Sequence, residues 1–306
     1  MTMKLNWMRG CATALVTPFK SDGTIDEERM RSLVDRQIKG GVQLLVPCGT
    51  TGESATMTEE EDARVIAMTI DVARGRAKVI AGTGSNSTAS AIEYSKRARD
   101  MGADALLQVA PWYNKPTQEG LYAHFRAIAE AVPETPIMLY NVPGRTSSNI
   151  AAQTTLRLAK DCENIVAIKE ASGNLSQIME ILRERPENFC VLSGDDAVTL
   201  PLIALGAEGI VSVASNEIPD QMSRMTNLAL EGKWNEARAL HYRVLPLMDV
   251  NFIESSPGPV KAAMAIMGLL EENFRLPLVP ITEKSRNRVR EVATELGLLG
   301  VARTSA

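Results

Sequence analysis

A single (β/α)8 TIM-type barrel with a C-terminal helical appendage is the α/β fold this sequence predicts. Three observations carry the expectation. Short Val-, Ile- and Leu-rich runs recur eight times, each is followed by a longer amphipathic stretch, and the pattern stops after about residue 230.

The runs are 12–18 (ATALVTP), 44–49 (LLVPCG), 78–84 (KVIAGTG), 105–111 (ALLQVAP), 137–143 (IMLYNVP), 165–171 (IVAIKEA), 189–195 (FCVLSGD) and 209–215 (GIVSVAS). Near-continuous apolarity over this length marks strands buried on both faces, hence a parallel sheet. Between them, stretches such as DEERMRSLVDRQIKGG, TEEEDARVIAMTIDVARG and TQEGLYAHFRAIAEAV have helical spacing. Asp26, Thr58 and Thr117 stand where N-caps belong, and Gly40, Gly41 and Gly75 where helices stop. Strict alternation predicts closure into a barrel, although an open doubly wound sheet satisfies it too. Residues 233–250, 257–271 and 283–298 then read as three helices, broken by Pro257, Pro259, Pro277 and Pro280. The expected division is a barrel over residues 1–231 that carries the active site and a helical region over 232–306 packed on it.

A chain of 306 residues, 45% hydrophobic, suffices for one large core. The net charge of −4, from 33 basic and 37 acidic residues without a basic run, argues against nucleic acid as a partner. The apolar runs are strand-sized, so no bilayer span is expected. Met1 to Gly10 lacks a continuous apolar core, so no signal peptide is expected and the cytoplasm is the predicted compartment. Cys11, Cys48, Cys162 and Cys190 show no paired or metal-like spacing, which fits free thiols in a reducing compartment. His124 and His241 lie far apart, so neither a His-based metal site nor a triad is expected.

Barrel enzymes build their sites at the C-terminal ends of the strands. Run six places Lys169 inside apolar sequence, where burial disfavours the ammonium and leaves neutral amine to attack a carbonyl. Pairing with Glu170, or escape to solvent at the strand end, are the structural alternatives. Run five contains Tyr140, followed by Arg145: a proton-handling phenol and a guanidinium able to clamp a carboxylate with two bonds. The bland readings are a core aromatic and a surface arginine. GTTGES (49–54) offers backbone N–H groups with the hydroxyls of Thr50 and Thr51 as an anion cradle, a weak signal alone. Trp112 and Tyr113, in PWYNKPT, suggest an interface or a lid. SGDD (193–196) could hold a phosphate at the strand-seven end, but Asp195 and Asp196 would repel it.

Taken in order, GTTGES, PWYNKPTQEGLY, LYNVPGRT, IKEASGN and LSGDD closely resemble the dihydrodipicolinate synthase (4-hydroxy-tetrahydrodipicolinate synthase) family of pyruvate-dependent Schiff-base lyases, over residues 9–299. The resemblance implies that Lys169 forms an imine with pyruvate and that Tyr140 is its general acid/base. Thr50 and Tyr113 would complete a proton relay, Tyr113 reaching in from a neighbouring subunit of a homotetramer built as a dimer of dimers. Thr51 would hold the pyruvate carboxylate, with backbone around Val211 lining the same pocket, and Arg145 would bind the carboxylate of L-aspartate 4-semialdehyde. No cofactor or metal is implied. Trp112 stands where the family commonly has tyrosine.

The nearest alternatives on the same scaffold are N-acetylneuraminate lyase and the keto-deoxy sugar-acid aldolases. They share the lysine and tyrosine but have no need of Arg145 or Tyr113. A non-catalytic metabolite-binding barrel is a third possibility, which would be expected to lack a chemical group. In lysine-inhibited family members a glutamate receives an amino group of the inhibitor; here Ser90 stands there, and Asp62 replaces a histidine. Ser54, Ala55 and Asn86 match. Weak or absent inhibition by lysine is therefore expected.

Overall fold

The structure, a computed structural model, describes residues 5–299. The expectations for Met1 to Gly10 and for 232–306 thus lie in part outside the described residues.

Eight parallel strands close into a barrel in chain order: β1 (Gly10–Ala14), β2 (Leu44–Val46), β3 (Lys78–Gly82), β4 (Ala105–Val109), β5 (Ile137–Asn141), β6 (Ile165–Glu170), β7 (Cys190–Ser193) and β8 (Gly209–Ser212). β8 pairs back onto β1, with Gly10 opposite Gly209. A Cβ on Gly209 would lie 2.0 Å from the carbonyl oxygen of Gly10, so this seam requires glycine. Closure excludes the open sheet.

The strands alternate between two buried layers. Ala12, Leu44, Ile80, Leu107, Met138, Tyr140, Ala167, Leu192 and Val211 pack in the lumen. Cys11, Leu45, Val79, Leu106, Leu139, Ile168, Val191 and Ile210 face the helices. On β6 the register to β5 shifts between Ile137↔Ile165 and Met138↔Ala167, leaving Val166 as an extra residue.

Strands are shorter than the apolar runs. In 44–49 only Leu44–Val46 pairs, because Pro47 has no N–H to give and Cys48 turns the chain at φ 57°. In 12–18 the strand starts two residues early, at Gly10, and ends at Ala14; Leu15 still donates its N–H to Val46 (3.0 Å).

The helices are α1 (Glu27–Lys39), α2 (Glu59–Ala73), α3 (Thr88–Asp100), α4 (Gln118–Ala131), the short α5 (Pro143–Thr146), α6 (Ala152–Asp161), α7 (Leu175–Glu184), α8 (Thr199–Ala204) and α9 (Pro219–Leu230). Asp26, Thr58 and Thr117 cap α1, α2 and α4, and Thr58 forms a full capping box with Glu61. Beyond the barrel come α10 (Trp234–Val250), α11 (Gly258–Ile266) and α12 (Glu283–Glu295). α11 stops short of residue 271 because Gly268 turns at φ 75°. Among the described residues, no helix is long and apolar enough to cross a membrane. The four cysteines are unpaired thiols.

Candidate active site

Lys169 and Tyr140 are directly opposite each other in the β5–β6 ladder. Alternation turns both into the lumen. Lys169 is 6% exposed and Tyr140 5%, and the Lys169 Nζ lies 4.1 Å from the Tyr140 ring centroid. The suggested pairing of Lys169 with Glu170 does not occur. Glu170 points to the other side of the sheet and accepts from Ser172 N (2.8 Å), Asn141 Nδ2 (3.1 and 3.2 Å) and Gln177 Nε2 (3.3 Å). Burial pushes its carboxyl above the ordinary range, against those bonds.

Room for the lysine comes from Gly194, after β7. A Cβ there would sit 3.1 Å from Lys169 Cε, 3.2 Å from Cγ and 2.7 Å from the Ala171 methyl. In sequence Gly194 is only a loop residue of SGDD, and no local signal links it to the lysine of β6.

Around the mouth, the GTTGES segment forms a 3-10 turn, Thr50–Gly52, in which Thr51 is buried and Thr50 exposed. Val211 lies in the lumen on β8 opposite Ala12. Arg145 projects from α5, exposed, its Nη2 3.4 Å from the Ser256 carbonyl. Tyr113 is not drawn into the mouth by its own chain: it stands 88% exposed at φ 73°, beside the half-exposed Trp112. Asn86 Nδ2 donates to the Trp112 carbonyl (3.2 Å), and Asn114 Nδ2 to the Asn86 carbonyl (2.9 Å), tying this loop to the end of β3.

The two aspartates of SGDD do not act together. Asp195 caps its own turn through Ala197 N (3.0 Å). Asp196 is 1% exposed, and its Oδ2 accepts from Val213 N (3.0 Å) and Ala214 N (2.9 Å), binding the end of β7 to the end of β8. Charge repulsion of an anion at this end thus falls to Asp195.

A fully buried ion pair supports the Thr50–Gly52 turn from below. Glu53 follows the turn at φ 58°, and its Oε1 lies 2.5 Å from the Nζ of Lys261 on α11; neither side chain has any exposure. Lys261 also donates to the carbonyls of Thr17 (3.1 Å) and Asn273 (2.7 Å) and faces the rings of Phe19 and Phe274. Burial pushes its ammonium down while Glu53 pulls it back up. Nearby, Arg275 meets Glu61 at 2.5 Å and holds that carboxyl down at about 2.

A closed barrel with a buried lysine and tyrosine converging at the carboxyl ends of adjacent strands, and polar loops around them, defines a (β/α)8-barrel enzyme. Comparison with known proteins narrows the class. The sequence profile of the dihydrodipicolinate synthetase family matches residues 7–296. The chain is 55% identical over 293 residues to the 4-hydroxy-tetrahydrodipicolinate synthase of Koribacter versatilis, covering 95% of this chain and 97% of that one. It superposes on the crystal structure of dihydrodipicolinate synthase from Aquifex aeolicus with a TM-score of 0.93 at 45% identity, covering 95% and 99%. A monomeric dihydrodipicolinate synthase variant matches with a TM-score of 0.94 at 41% identity, covering 96% and 99%. The chain belongs to the dihydrodipicolinate synthetase family, a family of lyases.

Proposed function

We propose that this protein condenses pyruvate with L-aspartate 4-semialdehyde to 4-hydroxy-tetrahydrodipicolinate, a step of lysine and diaminopimelate biosynthesis in the cytoplasm. The observation that carries the reading is the buried Lys169 amine 4.1 Å from the Tyr140 ring, in a chain 55% identical to a synthase of that name.

The amine of Lys169 adds to the keto carbon of pyruvate and expels water, giving an iminium. The iminium draws a proton off the methyl group, and the resulting enamine carbon attacks the aldehyde. Tyr140, relayed through Thr50 and Tyr113, moves the protons to and from these centres. Thr51 and backbone around Val211 hold the pyruvate carboxylate, and Arg145 the carboxylate of the semialdehyde. The amino group of the adduct then displaces Lys169, closing the ring and freeing the enzyme. The exposed Tyr113 supports a homotetrameric dimer of dimers in which it completes a neighbour's site. The active site belongs to the barrel, against which α10 and α11 pack.

Borohydride reduction with pyruvate followed by peptide mapping tests the reading: the label is expected on Lys169 alone. A label elsewhere, or none, refutes it. Arg145→Ala should keep that label yet lose semialdehyde turnover by about 1.5–3 kcal/mol of transition-state binding, the worth of a charge-assisted contact. Equal loss of both would reassign Arg145.

A further inference from the structure

Tyr140 and Lys169 form the next-to-last pair of the β5–β6 ladder, and the last pair is Asn141 with Glu170. Beyond it the ladder keeps only the bond from Ala171 N to the Asn141 carbonyl (2.9 Å), with Gly194 N reaching the Glu170 carbonyl (2.8 Å) from the β7 side, before the strands part into loops. The last pair is joined through its side chains as well. Asn141 and Glu170 are 0% and 1% exposed, and the Asn141 Nδ2 donates to both carboxylate oxygens. The Asn141 Oδ1 in turn accepts from Ile150 N (2.9 Å), ahead of α6, while Ser172 N and Gln177 Nε2 complete the carboxylate from the β6 loop and α7. Because successive residues of a strand face opposite sides, each partner of this pair sits one peptide from a reactive group yet outside the lumen.

We propose that Glu170 and Asn141 are positioning residues, a clamp on the outer side of the sheet that holds Lys169 and Tyr140 face to face for imine chemistry. The inference rests on the reading that Lys169 captures pyruvate. All the neighbours of the Glu170 carboxylate are donors, so the position requires a group that only accepts. Glutamine there turns one contact into donor against donor. Aspartate at 141 sets two carboxylates together. The two changes combined reverse the polarity of that one bond, the introduced amide at position 170 donating to the introduced carboxylate at position 141, while Ser172 N, Gln177 Nε2 and the Asn149 Oδ1 that Asn141 Nδ2 also reaches (2.9 Å) keep the polarity they had.

The test is the rate of borohydride-trappable imine formation across pyruvate concentrations, in the full-length wild type, E170Q, N141D and N141D/E170Q, with melting followed in parallel. E170Q and N141D should each lower the rate at saturating pyruvate on the order of tenfold or more, as sub-ångström misplacement of reacting groups does. The half-saturating pyruvate concentration should move less than about twofold, because the carboxylate cradle is untouched. The double variant should be about threefold or more faster than either single, short of the wild-type rate. E170Q at the wild-type rate overturns the clamp, as does a folded double variant no faster than the singles. Failure of the wild type to label at Lys169 overturns the parent reading and the clamp with it.

Discussion

Replacing Lys261 by methionine isolates the buried ion pair beneath the Thr50–Gly52 turn. The substitution keeps the side chain's length and apolar stem but leaves Glu53, wholly buried, without its cation at 2.5 Å. The Thr17 and Asn273 carbonyls lose their donor at the same time. Removing one partner of a buried pair costs about 3–5 kcal/mol, most of it the uncompensated charge left behind. Against a typical domain stability of about 5–15 kcal/mol that is a large fraction. Urea unfolding should show the midpoint falling with little change in slope. In K261M/E53Q no charge remains to be neutralised, and about half or more of the loss should return. A cost for K261M below about 1 kcal/mol, or a double variant as weak as the sum of the singles, would refute the reasoning.

Three further outcomes are expected. Tyr113→Phe should lower condensation sharply without unfolding the subunit, and mixing it with Lys169→Ala should restore part of the activity through hybrid sites; no recovery after verified subunit exchange would place Tyr113 in its own chain's site. Initial rates should hold as lysine is raised into the millimolar range, because Ser90 offers no charge to an ammonium; losing such a partner costs on the order of 2 kcal/mol, about thirtyfold in affinity. Stability should carry two opposed pH slopes. Burial lifts Asp62 to about 6 from 3.8, so the folded state binds the extra proton and stability falls as pH rises through that window. Burial lowers His124 to about 4 from 6.5, so stability is lost as pH falls through it. Urea melts between pH 4 and 6.5 should therefore steepen upward with pH in Asp62→Asn and flatten or invert in His124→Gln.

Strand count, the caps at Asp26, Thr58 and Thr117, and the placing of Lys169 and Tyr140 at one mouth were all legible, because each follows from a local pattern; closure was the expectation, but the alternation behind it fits an open sheet too, and the β1–β8 seam joins residues far apart in sequence. Lys261 was not, although its signal is the same as that of Lys169: a lone lysine in apolar sequence, GPVKAAMAIMG. It is the more buried of the two, at 0% against 6%. What separates them is the counter-ion, and Glu53 lies 208 residues away, beyond the reach of any spacing rule. Gly194 was hidden for the same reason, since only the fold brings it against the Lys169 stem. Glu170 was noticed for the wrong partner: adjacency in sequence suggested Lys169, whereas in a strand adjacent residues face apart.

The seam between β1 and β8 bears on how the chain is made. A nascent chain emerges from its N-terminus, and the free edge of β1 waits for Gly209–Ser212 before it can pair. At about 5–20 residues per second, roughly 200 residues of translation leave that edge open for about 10–40 seconds. Glu53 waits longer still for Lys261. Closure comes late in synthesis, so the open edge of β1, whose other edge pairs with β2, is a surface through which a slow or stalled ribosome would expose this chain to aggregation and to chaperones.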